Sequence, residues 1–85
     1  MAFRVLISDE ARAGLKCLET AAARSIAEKL EEAASNPRHF FERLAGREEY
    51  KLRVGDVRVI ANIMYNDEVI FVRSIGHRKN VYDRI

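Results

Sequence analysis

The chain reads as an α+β fold of order β-α-α-β-β-β: an N-terminal strand, a two-helix hairpin, then an antiparallel β-sheet. Three observations carry this reading. A short β-branched run, Phe3 to Ile7, opens the chain. An Ala-, Glu- and Lys-rich stretch then leads to Asn36-Pro37, a helix stop. From Tyr50 to Tyr82, three runs of alternating character are joined by tight turns. With 85 residues, the expectation is a single domain covering 1–85.

Each element has a local cause. The first strand ends at Ser8-Asp9, which offers N-cap oxygens to a helix, and Glu10 falls in the first turn, where the helix dipole favours an acid. Ala11, Leu15 and Leu18 recur at i, i+4 and i+7, so this helix extends to about Leu18. Thr20 is a candidate cap for a second helix over 21–35. There Ile26, Leu30 and Ala34 form one stripe, while Glu28, Lys29, Glu31 and Glu32 lie off it. Residues 38–49 connect helix to sheet. Phe40, Phe41 and Leu44 are too many apolar side chains for a free loop, and Gly46 marks a turn.

Gly55-Asp56 between two alternating runs is a two-residue hairpin signal. It pairs Val54 with Val57, Arg53 with Arg58, Leu52 with Val59 and Lys51 with Ile60. The next turn, within residues 65–68, sets Met64 beside Val69 and Ile63 beside Ile70. Tyr50, Leu52, Val54, Val57, Val59, Ala61, Ile63, Ile70 and Val72 then share a core face for the helices to cover. Lys51, Arg53, Arg58, Ile60 and Asn62 share the other, with Phe71, Arg73 and Ile75 expected to join them. In that register Arg73 falls beside Ile60 and Ile75 beside Arg58.

Bulk properties narrow the function classes. The composition, 48% hydrophobic with one Pro and four Gly, is that of a folded globular chain. No run reaches the ~18 apolar residues of a membrane span, and no signal-peptide core opens the chain, so a cytosolic protein is expected. Cys17 is the single cysteine, which excludes a disulfide framework, and its leucine neighbours predict a buried small hydrophobe. No metal-ligand spacing, phosphate loop or Ser/His/Asp set occurs. The net charge is only +2, yet residues 1–42 hold six Lys/Arg against seven Asp/Glu, and residues 43–85 hold nine against six.

The basic excess therefore sits in the strand region. Arg53 and Arg58 are expected to be direct cross-strand neighbours, an arrangement that costs stability. Lys51 lies one dipeptide step along, Arg73 joins from the third strand, and no carboxylate falls on that face in this register. A one-sign cluster suits an anionic ligand, above all a phosphodiester backbone, and arginine's planar fork donates two bonds to a phosphate. The alternative is a solvated face whose arginines pair with Glu48, Glu49 or Asp83. His77 is either an acid–base group or a structural residue. Tyr82 either stacks on a base or packs at the sheet edge. Asp9, Glu10 and the acids of the second helix read as solvation.

Three stretches carry a family resemblance: Tyr50-Lys51-Leu52-Arg53, Gly55-Asp56-Val57-Arg58-Val59-Ile60, and Ile75-Gly76-His77-Arg78-Lys79-Asn80-Val81-Tyr82. They closely resemble the RelE toxin family of toxin–antitoxin systems, in which Y-x-L-R-x-G-D-Y-R-V-I-Y is followed by G-H-R-x-x-V-Y. The strand, helix pair and Asn-Pro stop also fit, so the resemblance covers essentially the whole chain. It implies a RelE-like domain that cleaves messenger RNA in the ribosomal A site without metal or cofactor and is neutralised by a RelB-like antitoxin.

The resemblance further implies attack of a ribose 2′-OH on the adjacent phosphate, giving a 2′,3′-cyclic phosphate. Lys51 would be the base. Arg53 and Arg58 would stabilise the phosphorane, Arg78 the leaving side with help from His77, and Tyr82 would stack on a base. On the residues' own placement, Arg73, His77 and Lys79 are further candidates for binding substrate. Val57 and Ala61 stand where the family usually has aromatics, both on the expected core face. The related ParE branch implies a different function, a non-enzymatic toxin that poisons DNA gyrase. A degenerate toxin that only binds antitoxin is the third reading.

Overall fold

The computed structural model describes residues 2–77. Its elements are β1 (Arg4–Ile7), α1 (Asp9–Lys16), α2 (Thr20–Ser35), α3 (Pro37–Phe40), β2 (Glu42–Arg43), β3 (Tyr50–Val54), β4 (Val57–Met64) and β5 (Val69–His77). The strands form one sheet in the order β1-β5-β4-β3-β2. The expected strand, helix pair and strand meander are all present. The short α3 and β2 account for the apolar connector, with Phe41 buried between them.

The expectation of a purely antiparallel sheet is corrected. β2 to β5 pair antiparallel, but β1 runs parallel to β5, with Arg4 opposite Val69 and Ile7 opposite Val72. The cause lies in the connection. Parallel neighbours need a long crossover, and here the three helices and three intervening strands supply it.

Ser8 fixes the join between β1 and α1. Its hydroxyl accepts from the Ala11 amide at 3.0 Å, capping α1, and donates to the Arg73 carbonyl at 2.7 Å. Its own amide donates to the Val72 carbonyl at 2.9 Å. α1 is thereby held on β5. A Cβ on Gly14 would collide with the Ile75 carbonyl oxygen, so only glycine lets the helix approach this closely. Cys17 follows the last helical residue and is exposed, against the buried role expected of it.

The hairpin registers hold as read. Arg53 faces Arg58 and Lys51 faces Ile60 across the Gly55-Asp56 turn, where Gly55 takes φ +60°. Ile63 faces Ile70, and Met64 faces Val69. Further along β5 the register slips at a bulge beside Ile60 and Ala61. Ala61 pairs with Val72 but Ile60 pairs with Ser74, leaving Arg73 as the extra residue. Beyond the bulge every side chain changes face relative to the unbulged expectation. Ile75 therefore pairs with Val59 and is 4% exposed in the main core, not beside Arg58 on the basic face. Gly76 takes the place opposite Arg58.

The core lies between the helices and one sheet face. Ile26, Leu30, Ala33 and Ala34 of α2 and Ala11 of α1 meet Leu52, Val57, Val59, Ala61, Ile70, Val72 and Ile75. Val5 and Ile7 of β1 extend this layer. Among the described residues no helix is long and apolar enough to cross a membrane.

Candidate functional site

Among the described residues, no helix packs on the opposite face of the sheet. Strand alternation puts Lys51 and Arg53 of β3, Arg58, Ile60 and Asn62 of β4, and Phe71, Ser74 and Gly76 of β5 on it. Arg73, the bulged residue, stays with this group, because its Nη1 donates to Asn62 Oδ1 at 3.1 Å. The structure thus brings Lys51, Arg53, Arg58 and Arg73 to one side of the sheet.

The four cations are not alike. Arg53 is exposed and Lys51 half-buried. Arg58 is only 5% exposed, and it is the one charged residue buried this deeply among the described residues. Beside it Ile60 is 2% exposed, although it lies outside the main core. The centre of this face is therefore the floor of a hollow. Desolvating a guanidinium is costly unless its interactions compensate. A charge kept at that depth marks the centre of an electrostatic site more strongly than an exposed one does.

Carboxylates reach this face from outside the β3–β4–β5 ladder, which the strand register could not show. β2 sets Glu42 directly across from Lys51. Glu10 of α1 accepts from the Ser74 hydroxyl at 2.7 Å, so it does more than solvate a helix. Glu49, from the β2–β3 loop, accepts from Arg47 Nε at 3.1 Å. That hydrogen bond is the main cause holding its carboxyl below the usual range, and Arg73 contributes a weaker pull. The loop is braced by Arg43 Nε donating to the Arg47 carbonyl at 3.0 Å and by the Leu44 amide on the Glu49 carbonyl. Glu49 therefore pairs with Arg47 and feels Arg73 more weakly.

Between these walls lies a trough of about 430 Å3 lined by Ser8, Glu10, Arg47, Glu49, Ile60, Phe71, Arg73 and Ser74. It runs over β4 and β5, next to the Lys51–Arg53–Arg58 group.

His77 is not part of this gathering. It pairs with Val57, a core-face residue, and lines a separate hollow with Ala22, Ser25, Ile26, Val54 and Asp56 beside α2. The bulge explains the difference: the extra residue turns His77 toward the helices. Arg78, Lys79 and Tyr82 lie outside the described residues.

A family model described as the ParE toxin of the type II toxin–antitoxin system parDE matches residues 5–82. Among solved structures, the chain is similar to the toxin–antitoxin complex RelBE2 from Mycobacterium tuberculosis, with a TM-score of 0.82 at 17% identity, covering 92% of this chain and 100% of that one. It is also similar to the archaeal RelE–RelB complex from Pyrococcus horikoshii, with a TM-score of 0.77 at 28% identity, covering 92% and 97%. The intact RelBE complex of E. coli gives 0.78 at 22% identity, covering 89% and 96%. No curated protein matches the chain.

Proposed function

Because the chain belongs to the ParE toxin family of type II toxin–antitoxin systems, we propose that it is a toxin whose cationic sheet face cuts messenger RNA in the ribosomal A site without a metal. The observation that carries this reading is Arg58, buried at 5% exposure on the same sheet face as Lys51 and Arg53. A backbone phosphate placed there meets cations from two strands in a partly desolvated hollow, where electrostatic stabilisation is strongest.

The reaction is transesterification. The ribose 2′-oxygen bonds to phosphorus, and the bond from phosphorus to the 5′-oxygen breaks. Lys51 accepts the 2′-OH proton. Arg53 and Arg58 hold the charge of the phosphorane. The departing 5′-oxygen takes up a proton from water, and Arg78 stabilises it. Tyr82 stacks on the adjacent base, and Arg73 and Lys79 bind the strand. His77 lies beside α2, apart from this group.

A RelB-like antitoxin is the proposed partner, since the solved relatives are toxin–antitoxin complexes. Its apolar segments and acids would cover the open face and silence the toxin in the cytoplasm. The family model favours a second reading, a ParE-like toxin that poisons DNA gyrase without cutting RNA. Purified protein added to translating ribosomes and, separately, to a supercoiling reaction distinguishes the two. Cuts within the A-site codon are expected, with gyrase unaffected. Intact message together with blocked supercoiling would establish the second reading.

A further inference from the structure

We infer that Asn62 is a positioning residue: it holds the bulged Arg73 as a clamp for a second backbone phosphate of the substrate strand, next to the one handled by Lys51, Arg53 and Arg58. This deepens the RNA reading above and rests on it.

The bulge is fixed at its backbone and at its side chain. Arg73 is the extra residue between Val72, which pairs with Ala61, and Ser74, which pairs with Ile60. A bulge gives up ladder pairing, and bulges recur beside active sites because they re-aim a side chain. Ser8 secures the backbone here. Its hydroxyl donates to the Arg73 carbonyl at 2.7 Å, and its amide donates to the Val72 carbonyl at 2.9 Å. Asn62 secures the side chain, its Oδ1 accepting from Arg73 Nη1 at 3.1 Å. The two anchors come from different elements, the β1–α1 join and β4.

The acceptor on Arg73 leaves its charge in place. Glu10 and Glu49 line the same trough as Arg73, yet the guanidinium donates to a neutral carboxamide. Glu49 accepts from Arg47, and Glu10 from Ser74. A carboxylate partner would neutralise the arginine, whereas an amide orients it and leaves the remaining N–H donors for an anion. Arg73 is exposed, so a strand can reach it. Asn62 lines a neighbouring hollow of about 420 Å3 with Arg43, Met64 and Phe71, and Phe71 lines both hollows. The held guanidinium thus stands at their border. Asn62 lies four residues from Arg58 along β4, about 13 Å at the rise of a strand. Arg73 therefore meets a phosphate farther along the strand and not the scissile one. An arginine held in place beforehand loses less side-chain freedom on binding than a loose one.

The test uses short single-stranded RNAs, A-rich and U-rich, whose riboses carry 2′-O-methyl groups and cannot be cut. Fluorescence anisotropy over a range of salt concentrations compares the parent, Arg73→Ala, Asn62→Ala and the double variant. All four are expected to fold, since Arg73 is exposed and Asn62 half-buried. Arg73→Ala should weaken binding about tenfold, equally for both RNAs. It should also lower the salt slope by about 0.7, one single-strand phosphate contact. Asn62→Ala should weaken binding about threefold in the parent and have no effect in the Arg73→Ala background, because it acts through the arginine. The inference is overturned if neither RNA binds or if Arg73→Ala leaves the salt slope unchanged. It is equally overturned if Asn62→Ala costs the same with and without Arg73, as a merely structural role would give. Ribosomal cleavage by the parent is scored separately. The coupled loss of RNA binding without any cleavage would remove the nuclease reading and leave the phosphate clamp standing.

Discussion

The two faces of the one sheet differ in how they are held together. The helix side is an apolar layer built from strands and helices that are each amphipathic on their own account. Val59, Ala61, Ile70 and Val72 are fully enclosed there by α1 and α2. The open side is assembled from groups that no single element would gather: cations from β3 and β4, a bulged arginine from β5, a glutamate from α1 and a clasped loop before β3. The first face stabilises the fold. The second spends stability, setting Arg53 against Arg58 and burying the latter. Like charges directly opposite cost stability.

Substitution on each face should separate these roles. Ile70→Ala opens a cavity in the enclosed layer and should cost about 2–5 kcal/mol, read as a lower urea midpoint at constant slope. Gly14→Ala drives a methyl group into the Ile75 carbonyl oxygen and should cost about 1–3 kcal/mol, since the rigid backbone of β5 must yield. Ser8→Ala removes both the α1 cap and the tether to the Arg73 carbonyl, for a loss of about 1 kcal/mol in the same assay. On the open face, Arg53→Ala and Leu6→Ser should leave stability within about 0.5 kcal/mol, because both side chains are exposed. A loss as large as that of Ile70→Ala at either position would break the contrast between the faces.

The smallest effect is expected from acid. Glu49 has a folded pKa below its ordinary value of 4.5, so its pairing with Arg47 adds stability above that value. The contribution disappears as pH falls through the lower folded pKa. The pair is solvent-exposed, so salt should mask it. A Glu49→Gln protein should accordingly match the parent in stability below that range and depart from it only slightly above. An equal difference at all pH values would mean that Glu49 acts through packing.

The helix-side layer was legible in the sequence because strand alternation and helical spacing are local signals. Leu52, Val57, Val59 and Ile26 all fall where their periods place them. The hairpin pairing of Arg53 with Arg58 followed from Gly55-Asp56 for the same reason. The errors arose where distant contacts decide. No local pattern marks the bulge at Arg73, yet it sends Ile75 into the core and His77 toward α2. Parallel pairing of β1 depends on where the chain returns, not on the composition of β1. Glu10 looked like a solvating acid because its partner, Ser74, is 64 residues away. The depth of Arg58 was equally hidden, since burial of a strand residue depends on what else reaches that face.

The central claim is that the open face is a phosphate-handling surface. It is tested most directly by toeprinting translating ribosomes with the parent protein, Lys51→Ala and Arg58→Met. Methionine fills the buried site without charge, so the third protein should remain folded. The parent is expected to cut within the A-site codon. Both variants should fold and cut at least about a hundredfold more slowly, the cost of losing one base or one charge-stabilising group. Folded Lys51→Ala and Arg58→Met proteins that cut at the parental rate would contradict the claim.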